Sequence, residues 1–146
     1  MLIEIVCHAN VCRSPVGAAF LRARAPQGVE VRSSGLFAEA GVPADPTIIT
    51  RLGAKFPDLI THSAHRTTMS ALAEVDLVLV MERSQRSHIA ALAPHLAGRT
   101  MLFGAWRGAV QDIADPFGLE MRAYDIALNV LEASAETWCQ KLLKFA

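Results

Sequence analysis

The chain of 146 residues has no apolar run long enough to cross a bilayer. Its longest, such as Val75 to Met81, fall far short of the roughly 20 residues a spanning helix requires. The amino terminus also lacks a signal peptide's basic start and long apolar region. Net charge is missing too: fourteen Lys and Arg stand against fourteen Asp and Glu. No general basic face for nucleic acid is therefore implied. Cysteines number only three, two of them close together, which excludes a secreted disulfide scaffold and predicts reduced, chemically used thiols. Repeats, low-complexity tracts and linkers are absent. These absences leave one expectation: a cytoplasmic, soluble domain spanning residues 1–146, with no membrane insertion and no nucleic-acid partner.

What is present is apolar content, 52% of residues, enough for a sizeable core. Leu2, Ile3, Ile5 and Val6 read as a buried strand, and Pro15 followed by Val16–Ala25 reads as a helix with proline in its first turn. Gly28–Gly35 is a second strand entered and left through glycine. Pro46 starts a helix over Thr47–Lys55, residues 56–66 are mostly loop, and Thr68–Ala73 is a short helix. Val75–Met81 is apolar almost without alternation, as expected of a strand covered on both faces. Ser84 is expected to cap a helix to about Leu92, stopped by Pro94, and Arg99–Phe103 is the fourth strand. After a glycine-rich loop over Gly104–Gly118, a long helix begins near Glu120. Along it Tyr124, Leu128, Leu131, Ala135, Trp138 and Leu142 make one apolar stripe. Strands alternating with helices predict a three-layer α/β/α sandwich with a four-stranded parallel sheet.

The chemistry concentrates in Cys7-His-Ala-Asn-Val-Cys-Arg13. Five residues between a thiol and a guanidinium let the backbone curl once, so that successive N–H groups converge above the sulfur as an anion nest. The following helix aims its positive end at the same point. Arg13 offers a planar fork for two phosphate oxygens, and the field favours a thiolate at Cys7. The spacing alone is a weak pattern; its place between a strand and a helix is what narrows it, because a loop at the carboxyl end of a parallel strand is where phosphate binds.

A thiolate that attacks phosphorus needs an acid to protonate the departing oxygen. Asp115 is the best candidate: Pro116 restricts its backbone, Phe117 supplies an aromatic wall, and the loop leaves the fourth strand at the same carboxyl edge as Cys7. Asp112 is the rival acid.

CHANVCRSP, RSSG, GVPADP, DLVLVMER and DPF, in this order over nearly the whole chain, resemble the low-molecular-weight protein-tyrosine phosphatases. The resemblance implies a flavodoxin-like fold with the phosphate-binding loop after strand 1, formed by His8, Ala9, Asn10, Val11, Cys12, Arg13 and Ser14. It implies phosphotyrosine hydrolysis without metal or cofactor, through a phosphocysteine on Cys7. Arg13 would bind the equatorial oxygens, and Asp115 would act as acid and then as base. Ser14 would donate to the Cys7 sulfur, Asn10 would hold the loop's shape and His62 would buttress Asn10. Cys12 is open between a protective disulfide with Cys7 and a small buried residue; Cys139 reads as structural. Inorganic phosphate and other oxyanions would inhibit.

The chain departs from the family at Ala9, where Gly is usual, and after the second strand, where Phe37 stands in a segment lacking the family's long aromatic. Phe37 and Phe117 are the candidate substrate wall. The pattern after His62 is His-Ser-Ala-His-Arg, so His65 replaces the usual arginine or Arg66 is displaced by one. The carboxyl half resembles the bacterial capsule and exopolysaccharide branch, which implies a bacterial tyrosine kinase as substrate. Three alternatives stand beside this reading: an arsenate reductase, a non-catalytic phosphotyrosine-binding module, and zinc held by Cys7, His8, Cys12 and His62.

Overall fold

Alternation along the first strand builds two cores at once. In β1 (Leu2–Cys7), Ile3, Ile5 and Cys7 enter one buried cluster and Val6 the other. The structure, a computed structural model, describes residues Met1–Lys144. β1 pairs in parallel with β2 (Glu30–Gly35) on one side and β3 (Leu77–Val80) on the other; β3 pairs in parallel with β4 (Thr100–Leu102). The order of the four strands is β2-β1-β3-β4, which leaves β2 at an edge.

α1 (Arg13–Arg24), α2 (Pro46–Leu52) and α5 (Met121–Leu143) cover the first face, where Val16, Phe20, Leu21 and Ile48 meet Leu128, Leu131 and Trp138. α3 (Met69–Leu72) and α4 (Arg83–Leu92) cover the other through Leu72 and Ile89. The sandwich of three layers is therefore as the periodicity predicted. All six stripe positions of α5 are buried, and Trp138 Nε1 donates to Phe103 O at 2.8 Å, fastening the helix to the end of β4.

Several boundaries differ, each for a local reason. α1 begins at Arg13 rather than Pro15, because the loop's last curl is already helical; Pro15 remains in the first turn, where its missing N–H is not needed. α4 is capped by Glu82, not Ser84: Gln85 Oε1 accepts from the N–H groups of Met81 and Glu82 at 2.9 and 3.0 Å. α2 stops at Leu52, short of Lys55; β3 and β4 are shorter at both ends than the runs Val75–Met81 and Arg99–Phe103, and β2 starts at Glu30 rather than Gly28. Pro94 ends α4 as expected, but a 3-10 stretch over Pro94–Arg99 continues from it, and another turns at Pro57–Leu59 within the loop.

Candidate active site

β1 delivers Cys7 to the carboxyl edge, and the chain curls through residues 8–12 before α1 takes over. Ser14 Oγ lies 2.9 Å from Cys7 Sγ, and the Asn10 N–H donates to the same sulfur at 3.3 Å. Two donors thus face a sulfur that is 3% exposed, an environment suited to negative charge. Ser14 Oγ also reaches Ser34 O at 3.2 Å, so its one proton has an alternative acceptor when the sulfur holds its own.

Asn10 carries the sharpest turn, with φ 57°, in the left-handed region asparagine tolerates. Its side-chain nitrogen donates to Ser14 Oγ at 2.8 Å and to Ser33 Oγ at 3.0 Å, and its Oδ1 accepts from His65 N at 2.9 Å. Its carbonyl accepts from His62 Nε2 at 2.7 Å. A carbonyl only accepts, so the proton of neutral His62 sits on Nε2. Burial pushes the His62 pKa below its ordinary value; the bond to Asn10 opposes this, while His65 and Arg22 reinforce it. Ala9 is not in the left-handed region, so its methyl brings no backbone strain.

The loop lies directly on the end of β2. A Cβ at Gly35 would stand 2.7 Å from Asn10 N and His8 O, closer than real side chains come. Leu36 N and Phe37 N donate to Cys7 O and His8 O, each at 2.9 Å, stitching the two segments together.

Arg13 is 2% exposed, and its bonds within the fold fall on NH1. Its NH1 donates to Glu82 Oε1 at 2.6 Å and to Ile113 O at 2.8 Å, while NH2 lies 3.5 Å from Asp115 Oδ2. One guanidinium thereby joins the loop, the start of α4 and the distant acid loop. Asp115 Oδ1 accepts from Phe117 N at 3.1 Å, and its side chain is 41% exposed, facing solvent as well as Arg13. The rival Asp112 is engaged elsewhere: its Oδ1 accepts from Arg83 N at 2.9 Å, tying the loop to the first residue of α4.

Cys12 is buried, and that burial raises its thiol pKa far above the ordinary range, with the charges of Asp115, Asp45 and Cys7 adding to the effect. It is held as a thiol. Cys139 is buried on α5 beside Leu21 O. Leu21 is nine residues along α1 from Cys12, about 13 Å of helix rise. Phe37 sits between His8 and His88, with ring centroids 5.0 and 5.4 Å away, and is half exposed, as is Phe117.

Among the described residues no group of three or more His, Cys, Asp or Glu is placed to hold a metal, and His62 Nε2 is spent on Asn10. Zinc on Cys7, His8, Cys12 and His62 has no geometric support.

Sequence reasoning missed four partners. Glu82 was visible only as the first acidic residue past β3, Ser33 and Gly35 as small residues closing β2, and Asp45 as a helix cap. Asp45 N donates to Val11 O at 2.8 Å, and Tyr124 OH donates to Asp45 Oδ2 at 2.5 Å, so α5 buttresses the loop from below.

A family model described as low molecular weight phosphotyrosine protein phosphatase matches residues 2–145. The low molecular weight protein-tyrosine-phosphatase Etp of Escherichia coli strain K12 is 34% identical over 140 residues, 96% of this chain and 93% of that protein. The crystal structure of the Erwinia amylovora tyrosine phosphatase AmsI superposes with a TM-score of 0.88 at 35% identity, covering 97% of this chain and 92% of that one. The YwlE arginine phosphatase from Geobacillus stearothermophilus superposes with a TM-score of 0.86 at 29% identity, covering 98% and 93%.

Proposed function

Because the chain belongs to the low molecular weight protein-tyrosine phosphatase family, we propose that it hydrolyses phosphotyrosine in proteins through a covalent phosphocysteine. The observation that carries this reading is Arg13 reaching both Glu82 and Asp115 beside the Cys7 loop.

Cys7 attacks phosphorus in line with the phenolic oxygen. The sulfur–phosphorus bond forms as the phosphorus–oxygen bond breaks, and the phenolic oxygen takes its proton from Asp115. Loop N–H groups and Arg13 hold the three equatorial oxygens where charge is spread. Glu82 keeps the guanidinium plane fixed by gripping NH1, which leaves the NH2 side to the phosphate. A bound phosphate takes over NH2 from Asp115 and frees that carboxyl for the leaving group. Water then attacks phosphorus, the Asp115 carboxylate receives its proton, and Cys7 leaves as the thiolate that Ser14 and Asn10 accommodate.

Phe37 and Phe117 offer half-exposed aromatic faces at the mouth, suited to an aryl phosphate. The protein substrate follows from the resemblance of the carboxyl half to the capsule and exopolysaccharide branch: a tyrosine kinase of polysaccharide export, acting from the same compartment. Inorganic phosphate and other oxyanions compete for the loop.

The fold also carries arginine phosphatase activity in YwlE, so the deciding test is a peptide panel bearing phosphotyrosine, phosphoarginine and phosphoserine, with Cys7→Ser as control. Phosphotyrosine turnover lost in the control is expected. Preferred phosphoarginine turnover overturns the substrate. Arsenate reduction outpacing phosphate release would mark a reductase; binding without any release would mark a non-catalytic module.

A further inference from the structure

A cavity of about 560 Å³ lies away from Cys7, wrapped around the free edge of β2. Strand parity shows why that edge is open. Glu30 N and Leu36 N donate toward β1, so the odd residues turn their backbone outward. Gly35 spends both outward groups on the segment beyond His62, its N–H donating to His65 O and its carbonyl accepting from Thr67 N, each at 2.9 Å. Val31 O accepts from Arg22 Nε at 2.9 Å. Between them Ser33 faces the cavity, and among the described residues its outward N–H and carbonyl have no backbone partner.

The walls are rich in donors. Arg22, Arg32 and Arg66 line the cavity together with His62 and His65, against the two acids Glu4 and Asp58. Arg32 uses Nε on Glu4 at 3.2 Å, and Arg22 is only 3.9 Å from the exposed Asp58, so both forks keep unused N–H groups. Arg66 is exposed, and among the described residues its guanidinium makes no hydrogen bond or ion pair. A volume of this size suits a small molecule rather than a chain segment. The donor surplus suits one with several negative oxygens.

The same walls hold the catalytic loop. Ser33, His62 and His65 all line the cavity, and each bonds Asn10 from behind. We propose that this cavity is a second, non-catalytic anion site for a small polyanion, carboxylate or phosphate, and that its occupancy stiffens the catalytic loop through Asn10. The Ser33 hydroxyl accepts from Asn10 and retains its own proton; donating that proton to an anion polarises the hydroxyl and strengthens its grip on Asn10. By linkage, an occupied catalytic loop tightens the second site by the same factor.

The experiment keeps the catalytic loop filled. Benzylphosphonate is bound first, its phosphonate in the Cys7 loop; citrate and, separately, inorganic phosphate are then titrated while backbone amide resonances are followed. Saturable one-to-one shifts at Ser33, His62, His65, Arg66 and Thr67 are expected with at least one of the two anions; which one binds distinguishes carboxylate from phosphate. Arg66→Ala should weaken that binding about tenfold, the scale of one charge-assisted hydrogen bond, and Arg66→Lys should recover part of it. Aryl-phosphate kcat/KM without added anion should be unchanged in Arg66→Ala. Benzylphosphonate affinity, corrected for direct competition by the anion at the Cys7 loop, should rise about fivefold when the second site is filled. Silence of those amides with both anions, or an affinity indifferent to Arg66→Ala, overturns the site, and unchanged benzylphosphonate affinity overturns the coupling. Any of these failures leaves the phosphocysteine reading standing, because that reading does not use Arg66.

Discussion

The loop after β1 and the loop after β4 meet at Arg13 but are built by opposite rules. Between Cys7 and Ser14, Cys7, Asn10, Cys12, Arg13 and Ser14 are all buried, and Asn10 alone makes contacts to five other residues. Over residues 104–118, Trp106, Val110 and Phe117 lie open, and the polar ties to the rest of the fold gather on three residues: Ile113 N on Met81 O, Ile113 O and Asp115 on Arg13, and Ala109 O and Asp112 on Arg83. The contrast has a chemical sense. A nucleophile and an oxyanion nest gain from being fixed before substrate arrives. An acid that must serve first a leaving group and then a water gains from a looser hold.

The largest effect is expected at Asp115, in the looser loop. Asp115→Asn should reduce turnover of phenyl phosphates with poor leaving groups by about 10²- to 10⁴-fold and good ones far less, read as a steeper leaving-group dependence of kcat. A uniform loss would mean the loose loop supplies position rather than a proton. The tight loop breaks from outside at Gly35. Gly35→Ala puts a methyl where Asn10 N and His8 O already stand; about 1–3 kcal/mol of stability should be lost, with weaker phosphate binding, in thermal unfolding with and without phosphate. Gly108→Ala, in the loose loop where nothing stands within 4 Å, sharpens the contrast: despite its positive φ, its effect on phosphate binding should be negligible.

Asn10→Ala removes the hub. Ser33, His65 and Ser14 each lose a partner, which predicts about 1–3 kcal/mol of destabilisation and a fall in kcat larger than any rise in KM for an aryl phosphate. The smallest effect is that of pH on His62. Its folded pKa is lowered, so its contribution to stability is complete above about pH 6.5 and is lost as pH falls through the folded value. Wild type should lose stability relative to His62→Gln as pH falls below about 6.5. Parallel unfolding curves would mean His62 is not held neutral.

The same contrast governs how much could be read from sequence. Strand, loop and helix around Cys7 were legible because buried apolar runs, a fixed spacing and a proline act within a few residues of one another. The layers followed from the α5 stripe and the unbroken apolar β3. Glu82 was not legible, since nothing local separates a carboxylate that grips Arg13 from one that merely caps α4, and here it does both. Ser84 looked the better cap because its hydroxyl is a common one, yet Gln85 reached back first. Gly35 and Ser33 looked like the ordinary end of a strand. Their meaning lies in Asn10, more than twenty residues earlier in the chain, and only the fold brings them together.

In the phosphocysteine mechanism Cys7 carries the phosphoryl group during turnover. The most direct measurement is acid quenching of the protein during steady hydrolysis of an aryl phosphate, followed by mass analysis of the peptide holding residues 7–13. One phosphoryl group on Cys7 is expected, present also in Cys12→Ser and absent with all turnover in Cys7→Ser. Phosphate release that survives Cys7→Ser, or label found on another side chain, would contradict the account.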